Sequence, residues 1–193
     1  VSASDPRPLA ERIDPDWTLF LDRDGVLNEH RPDDYVKTWD EWTWIDGSPA
    51  AVARLTGRFR HILIVTNQQG VGKGLMSEED LIQIHTQMEL GLRGVGGIVD
   101  AVYFCTDLAS DPEHQRKPRP DMGLAAQADF PDIDFSRALM VGDSDSDMAF
   151  GRNLGMVTVR IGADPEAALA HPDVDYAFTR LADFADAVTG SPA

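Results

Sequence analysis

The sequence predicts a doubly wound α/β fold: a Rossmann-like, mainly parallel sheet with helices on both faces. Three observations carry this. Short apolar runs rich in β-branched residues recur along the chain, as suits strands buried on both faces. Segments of helical periodicity separate them. Chemically loaded residues stand at the carboxyl ends of several runs, where open α/β sheets bind their ligands.

The elements follow in order. Residues 1–15 show no strong pattern and are expected to be a loose N-terminal segment of one domain spanning 1–193. Trp17 to Leu21 (WTLFL) is the first strand and runs into Asp22. In YVKTWDEWTWI, Trp42 and Trp44 alternate as in a strand and predict a hairpin flap packed on the core. In GSPAAVARLTG, Ser48 is the expected N-cap, Pro49 the first helical residue and Gly57 the stop. His61 to Thr66 (HILIVT) is the second strand. The next helix opens at Ser77, followed by acids that complement the helix dipole, and Leu81, Ile84, His85 and Met88 recur on one face. His85 there is expected to be a satisfied structural histidine. Ile98 to Cys105, Ala138 to Asp143, Met156 to Ile161 and Asp175 to Phe178 are the remaining strands. DMGLAAQADF, SDMAFGRNLG and RLADFADAV are the remaining helices.

Composition narrows the function. The net charge of −16 argues against nucleic acid or an anionic membrane as partner, while leaving room for an anionic small molecule at a local site. The single cysteine, Cys105, excludes an internal disulfide framework and is expected to be a packing residue at a strand end. The N-terminus shows no apolar signal region, and no stretch approaches the roughly 18 apolar residues of a membrane span. A cytoplasmic monomer is expected.

The strand-end residues define the chemistry. Asp22 and Asp24 are spaced i, i+2 where the first strand becomes a loop. Thr66 and Asn67 end the second strand, and Asp143 ends the fourth, with Asp147 shortly after it. RKPRP carries Arg116 and Lys117. A carboxylate can be a nucleophile, a metal ligand or a proton carrier. Several together repel: at an effective dielectric of about 20, each unit pair about 4 Å apart costs ~4 kcal/mol. A cation must relieve this, and oxygen ligation with room for water and phosphate suits Mg²⁺. Lys117 and Thr66 supply an anion clamp opposite it, the arrangement phosphoryl transfer needs. The stretch VTNQQGVGKG imitates a P-loop but fails as one. Asn67 stands where the first glycine is required, Gly74 replaces the metal-binding Ser or Thr after Lys73, and the helix signal begins only at Ser77.

FLDRDGVLN, VTNQ, RKP and VGDSDSDM, in that order from Leu19 to about Gly155, resemble the motifs of the haloacid dehalogenase superfamily of aspartate-nucleophile phosphatases. The longer forms DRDGVLN, TNQQGVGKG and RKPRPDM resemble the branch containing D-glycero-D-manno-heptose 1,7-bisphosphate 7-phosphatase and histidinol-phosphate phosphatase. The resemblance implies no large cap domain. It implies that Asp22 attacks phosphorus and that Asp24 protonates the leaving oxygen, then activates water. Thr66 and Lys117 would hold the phosphoryl group, and Asn67 and Arg116 would contact substrate. Asp22, the backbone carbonyl of Asp24, and Asp143 would ligate Mg²⁺, with Asp147 orienting the metal site. Arg31, in HRPDD, is a candidate for a second anion on the substrate. The implied substrate is a small phosphorylated metabolite, with heptose 1,7-bisphosphate first and histidinol phosphate its rival. A polynucleotide 3′-phosphatase and a non-catalytic phosphosugar-binding protein are further alternatives.

Two departures stand out. The branch often holds a structural zinc in the loop before RKP, yet the four ligand positions here are Cys105, Asp107, Glu113 and Gln115, so structural zinc is not expected. Ser144 follows Asp143 where the heptose enzyme has a lysine, which removes one cation.

Overall fold

The computed structural model describes residues 8–31 and 34–190. Its elements are α1 (Leu9–Arg12), β1 (Thr18–Leu21), α2 (Ser48–Leu55), β2 (His61–Asn67), α3 (Gln69–Gly72), α4 (Glu78–Gly94) and β3 (Ala101–Cys105). They continue with α5 (Asp121–Asp129), β4 (Ala138–Gly142), α6 (Asp145–Leu154), β5 (Val157–Ile161), α7 (Pro165–Ala168), β6 (Tyr176–Phe178) and α8 (Leu181–Thr189). The strands form one sheet in the order β3-β2-β1-β4-β5-β6, and every pairing is parallel.

Side-chain alternation divides the core between the two faces of the sheet. Leu19, Leu21, Ile62, Ile64, Leu139 and Val141 meet Leu55, Leu81, Ile84 and Phe184 from α2, α4 and α8. Phe20, Leu63, Val65 and Met140 point the other way, onto Met122, Ala126 and Phe150 from α5 and α6. Each fully buried Leu or Phe contributes about 1.5–3 kcal/mol of transfer free energy, which is why these runs need no polar face.

Four local expectations are corrected. The N-terminal segment is not loose throughout: Leu9 and Ile13 are buried in the core, while residues 1–7 lie outside the described residues. Gly47, not Ser48, caps α2, because its φ of +79° is open to glycine, and the Ser48 hydroxyl instead donates to the Leu27 carbonyl. VGKG is not simply a loop before the Ser77 helix, since Gln69–Gly72 forms one helical turn ending at Lys73. The tryptophans form no regular hairpin. Trp39–Glu41 is a 3-10 turn, and Trp44 makes an isolated antiparallel bridge to Asn28. Trp39 stacks on Trp42, and Trp44 meets Trp42 edge-on, so the cluster packs as a side-chain wedge. It presses on α4 at Gly91, where an added Cβ would lie 2.9 Å from Trp44.

Ser77 caps α4 as expected, in a reciprocal capping box with Asp80. Among the described residues, no helix is long and apolar enough to cross a membrane.

Candidate active site

The sheet register brings the loaded strand ends together. Leu21 pairs with Ile64 on one side and Val141 on the other, so β1, β2 and β4 finish side by side. Strand order reverses at this point, leaving the crevice in which doubly wound folds bind ligands. Asp22 continues β1 by donating its amide to the Val141 carbonyl at 2.9 Å. An open cleft of about 450 Å³ lies above, lined by Asp22, Asp24, Thr66, Asn67, Arg116, Lys117 and Asp143.

Lys117 is the hub. Its side chain is buried, and its ammonium lies 3.0 Å from Asp22 Oδ1, donates to the Val65 carbonyl at 2.8 Å and pairs with Asp147. Burial works against the charge, but Asp147 and Asp22 outweigh it and raise the lysine above its ordinary range. Asn67 fixes the lysine's backbone from both sides: its Oδ1 accepts from the Lys117 amide at 2.9 Å, and its Nδ2 donates to the Lys117 carbonyl at 3.2 Å. These bonds give Asn67 a positioning role at Lys117 besides its place in the cleft lining.

Carboxylate oxygens of Asp22, Asp143 and Asp147 lie within 4.8 Å of one another. Burial, and then Asp147, push the Asp22 carboxyl well above the usual range, against the pull of Lys117. Burial and Asp147 likewise push Asp143 up to about 6. Crowded, desolvated carboxylates on an oxygen-rich cleft are the donor set a hard divalent cation relieves, so these residues fit Mg²⁺. Asp22 and Asp143 face the cleft. Asp147 is fully buried behind them, bound to Lys117 and, through its other oxygen, to the Ser144 amide and hydroxyl. This is the capping box of α6, so the helix start and the lysine share one carboxylate.

The Asp24 carboxylate lies outside that cluster. It accepts a forked pair from Arg23 at 3.0 and 2.9 Å, and further bonds from Asn28 at 2.8 Å and Gln68 at 2.7 Å. Burial opposes ionisation, but the charge and hydrogen bonds of Arg23, with those of Asn28 and Gln68, win and lower its pKa. Asp24 is thus held ionised. Gln68 also donates to the Thr66 hydroxyl at 2.8 Å, tying the two motifs together.

Arg23, which holds Asp24, was not assigned to the site from the sequence. It is fully buried, with its guanidinium 3.2 Å from His85 Nε2 and over the Trp42 ring at 5.6 Å. Burial, then Arg23, lower the His85 pKa to about 3, so the imidazole is neutral and can accept from the arginine. His85 is structural in this sense: it steadies the arginine that holds Asp24.

Gly25 makes room for the Asp143 carboxylate. Its φ is +80°, and a Cβ there would fall 2.0 Å from Asp143 Oδ2. Gly25→Ala is therefore expected to displace Asp143 and raise the Mg²⁺ concentration for half-maximal activity by roughly tenfold or more. An unchanged Mg²⁺ titration would rule out this placement of Asp143.

The loop between β3 and Lys117 is held by its own polar contacts. Asp107 accepts from the Gln115 amide at 2.7 Å, and Gln69 accepts from the Ala109 amide at 3.1 Å. Gly72 lets the loop lie close, since a Cβ there would meet the Thr106 carbonyl at 2.3 Å. Cys105 is a buried free thiol. Arg116 reaches the cleft from this loop, and its Nε is buried without a partner. Arg31 also lines the cleft, but it leans on Asp34 at 3.8 Å and on the Glu41 carbonyl at 3.5 Å. Its neighbours 32 and 33 lie outside the described residues. His30, Tyr35 and Lys73, which the sequence reading did not assign to the site, line the same cleft.

A carboxylate pair beneath a buried lysine, at the switch point of a parallel Rossmann-like sheet, defines a HAD-like phosphatase. A family model described as HAD-hydrolase-like matches residues 114–187. The chain is 37% identical over 185 residues to D-glycero-alpha-D-manno-heptose-1,7-bisphosphate 7-phosphatase of Mycobacterium tuberculosis, covering 93% of this chain and 95% of that one. It is 34% identical over 172 residues to the D-glycero-beta-D-manno-heptose-1,7-bisphosphate 7-phosphatase of Neisseria meningitidis, covering 86% and 91%. The crystal structure of D,D-heptose 1,7-bisphosphate phosphatase from B. bronchiseptica, complexed with magnesium and phosphate, superposes with a TM-score of 0.81 at 31% identity, over 91% of this chain and 99% of that one. The chain belongs to the heptose-bisphosphate phosphatase family of HAD-like hydrolases.

Proposed function

We propose that this chain removes the 7-phosphate from a D-glycero-D-manno-heptose 1,7-bisphosphate through an aspartyl-phosphate on Asp22. The observation that carries the chemistry is the position of Asp22: it lines the open cleft, 3.0 Å from the Lys117 ammonium and beside Asp143. The relatives' substrate supports the choice of sugar.

Asp22, Asp143 and the backbone carbonyl of Asp24 would hold Mg²⁺, which would keep Asp22 ionised and offset charge on the phosphoryl oxygens. Lys117 and Thr66 hold the phosphoryl group. Asp22 Oδ attacks phosphorus as the ester P–O bond breaks, and the leaving alkoxide takes a proton from Asp24. Asp24, ionised in the open site, takes up that proton from solvent as the substrate binds, because a phosphate dianion beside it raises its proton affinity by like-charge repulsion. In the second step Asp24 accepts a proton from the attacking water, the acyl-phosphate P–O bond breaks and Asp22 is regenerated.

A phosphate-release panel tests this reading: both anomers of the heptose bisphosphate, histidinol phosphate, other sugar phosphates and a 3′-phosphorylated oligonucleotide, compared by kcat/KM. The heptose bisphosphates are expected to lead, and equal, feeble turnover of all would refute the substrate. EDTA should abolish activity and Mg²⁺ restore it. Restoration by zinc and not by Mg²⁺ would overturn the metal assignment.

A further inference from the structure

We propose that Lys73, clipped by Tyr35, determines specificity by binding the phosphate of the substrate that is not transferred. This rests on the reading that the substrate is a bisphosphate. The cations lining the cleft are not equivalent. Lys117 is held against Asp22 and Asp147, where the transferred phosphoryl group would sit, Arg31 leans on Asp34, and Arg116 has its Nε buried on the loop that carries Lys117. Lys73 lines the same cleft, is exposed, and pairs with no carboxylate among the described residues. In a chain of net charge −16, a cleft-lining ammonium without an acid beside it is available for an anionic ligand.

Among the described residues, its one hydrogen-bond partner is neutral. Lys73 Nζ donates to the Tyr35 hydroxyl at 3.0 Å. That contact fixes the long side chain without cancelling its charge, which lowers the ordering cost of meeting an anion. The clip is built in from both sides. Lys73 stands at the end of the α3 turn, directly after the second motif, and Tyr35 lies on the loop after the first. Gly70 allows the two to close, because a Cβ there would lie 2.9 Å from Tyr35 Cγ. Ser144, which also lines the cleft, offers no cation, and its hydroxyl is bound to Asp147. The ammonium and the phenol together can donate to one phosphate while the other sits over Asp22.

The test is a ratio. For wild type, Lys73→Met, Lys73→Arg and Tyr35→Phe, kcat/KM is measured on the heptose 1,7-bisphosphate anomers and on the corresponding heptose 7-monophosphate. Thermal melting checks the fold of each. Wild type is expected to favour the bisphosphate. Lys73→Met should reduce that preference roughly tenfold or more, as expected for loss of a charge-assisted contact. Lys73→Arg should keep most of it, and Tyr35→Phe should lose a smaller part. A wild-type preference that survives Lys73→Met overturns the role of Lys73 alone. A wild-type ratio near one overturns the bisphosphate reading itself, and the role of Lys73 with it.

Discussion

Asp22→Asn is expected to abolish phosphate release, lowering kcat by roughly 10⁴-fold or more, without unfolding the protein. The amide is nearly isosteric but a poor nucleophile, so the covalent step has no substitute in the site. Stability should hold for a separate reason. Burial and Asp147 raise the Asp22 pKa in the fold. A carboxyl with a raised folded pKa favours folding when protonated, at low pH, and works against it once pH rises above its unfolded value. A neutral side chain removes that burden at neutral pH, and Lys117 keeps Asp147 as its partner. The expected result is an inactive enzyme that melts no lower than wild type in the absence of Mg²⁺. Turnover retained at more than a small fraction of wild type would sink the assignment of Asp22 as nucleophile.

How much of this was legible in the sequence depends on what each residue's signal reports. Asp22, Thr66 and Asp143 could be found because strand ends are marked by where apolar runs stop, and a parallel sheet aligns those ends, whereas Lys117, on the loop well past β3, was visible only through RKPRP. Asn67 was placed at the site, but the strand end shows only that a polar group stands there, not that its amide closes onto the backbone of Lys117, fifty residues away in the chain. Arg23 was missed although a signal existed. In D-R-D the side chains alternate, so if Asp22 and Asp24 face the cleft Arg23 must point to the opposite side, where α4 covers the sheet. His85, on the buried face of α4, was its visible partner. Lys73 was set aside because the P-loop failed, but failing as a nucleotide loop did not remove its charge from the cleft. The tryptophan segment was misassigned because two alternating residues are too few to separate a strand from an aromatic wedge. Leu9 and Ile13 stand one helical turn apart and could have shown that the N-terminal segment docks.

Lys117→Met carries the second large effect, and it joins stability to catalysis. The lysine is fully buried between Asp22 and Asp147, and its removal leaves two desolvated carboxylates facing each other. Removing one partner of a buried ion pair costs about 3–5 kcal/mol, and in a domain of this size each kcal/mol lowers Tm by roughly 2–4 °C. A drop on the order of 10 °C is therefore expected. Turnover should fall by roughly 10³-fold, because the phosphoryl oxygens lose their charged donor. The two losses can be separated. In Lys117→Met/Asp147→Asn the orphaned charge on Asp147 is gone, while the amide oxygen can still accept from the Ser144 backbone at the start of α6. Melting temperature should recover much of its loss in the double variant, and activity should not. If both recovered together, Lys117 would be a structural brace and the phosphoryl clamp would lie elsewhere. If neither recovered, the shared carboxylate of Asp147 would be needed for the site in its own right, as the anchor that holds the helix start and the lysine in one geometry.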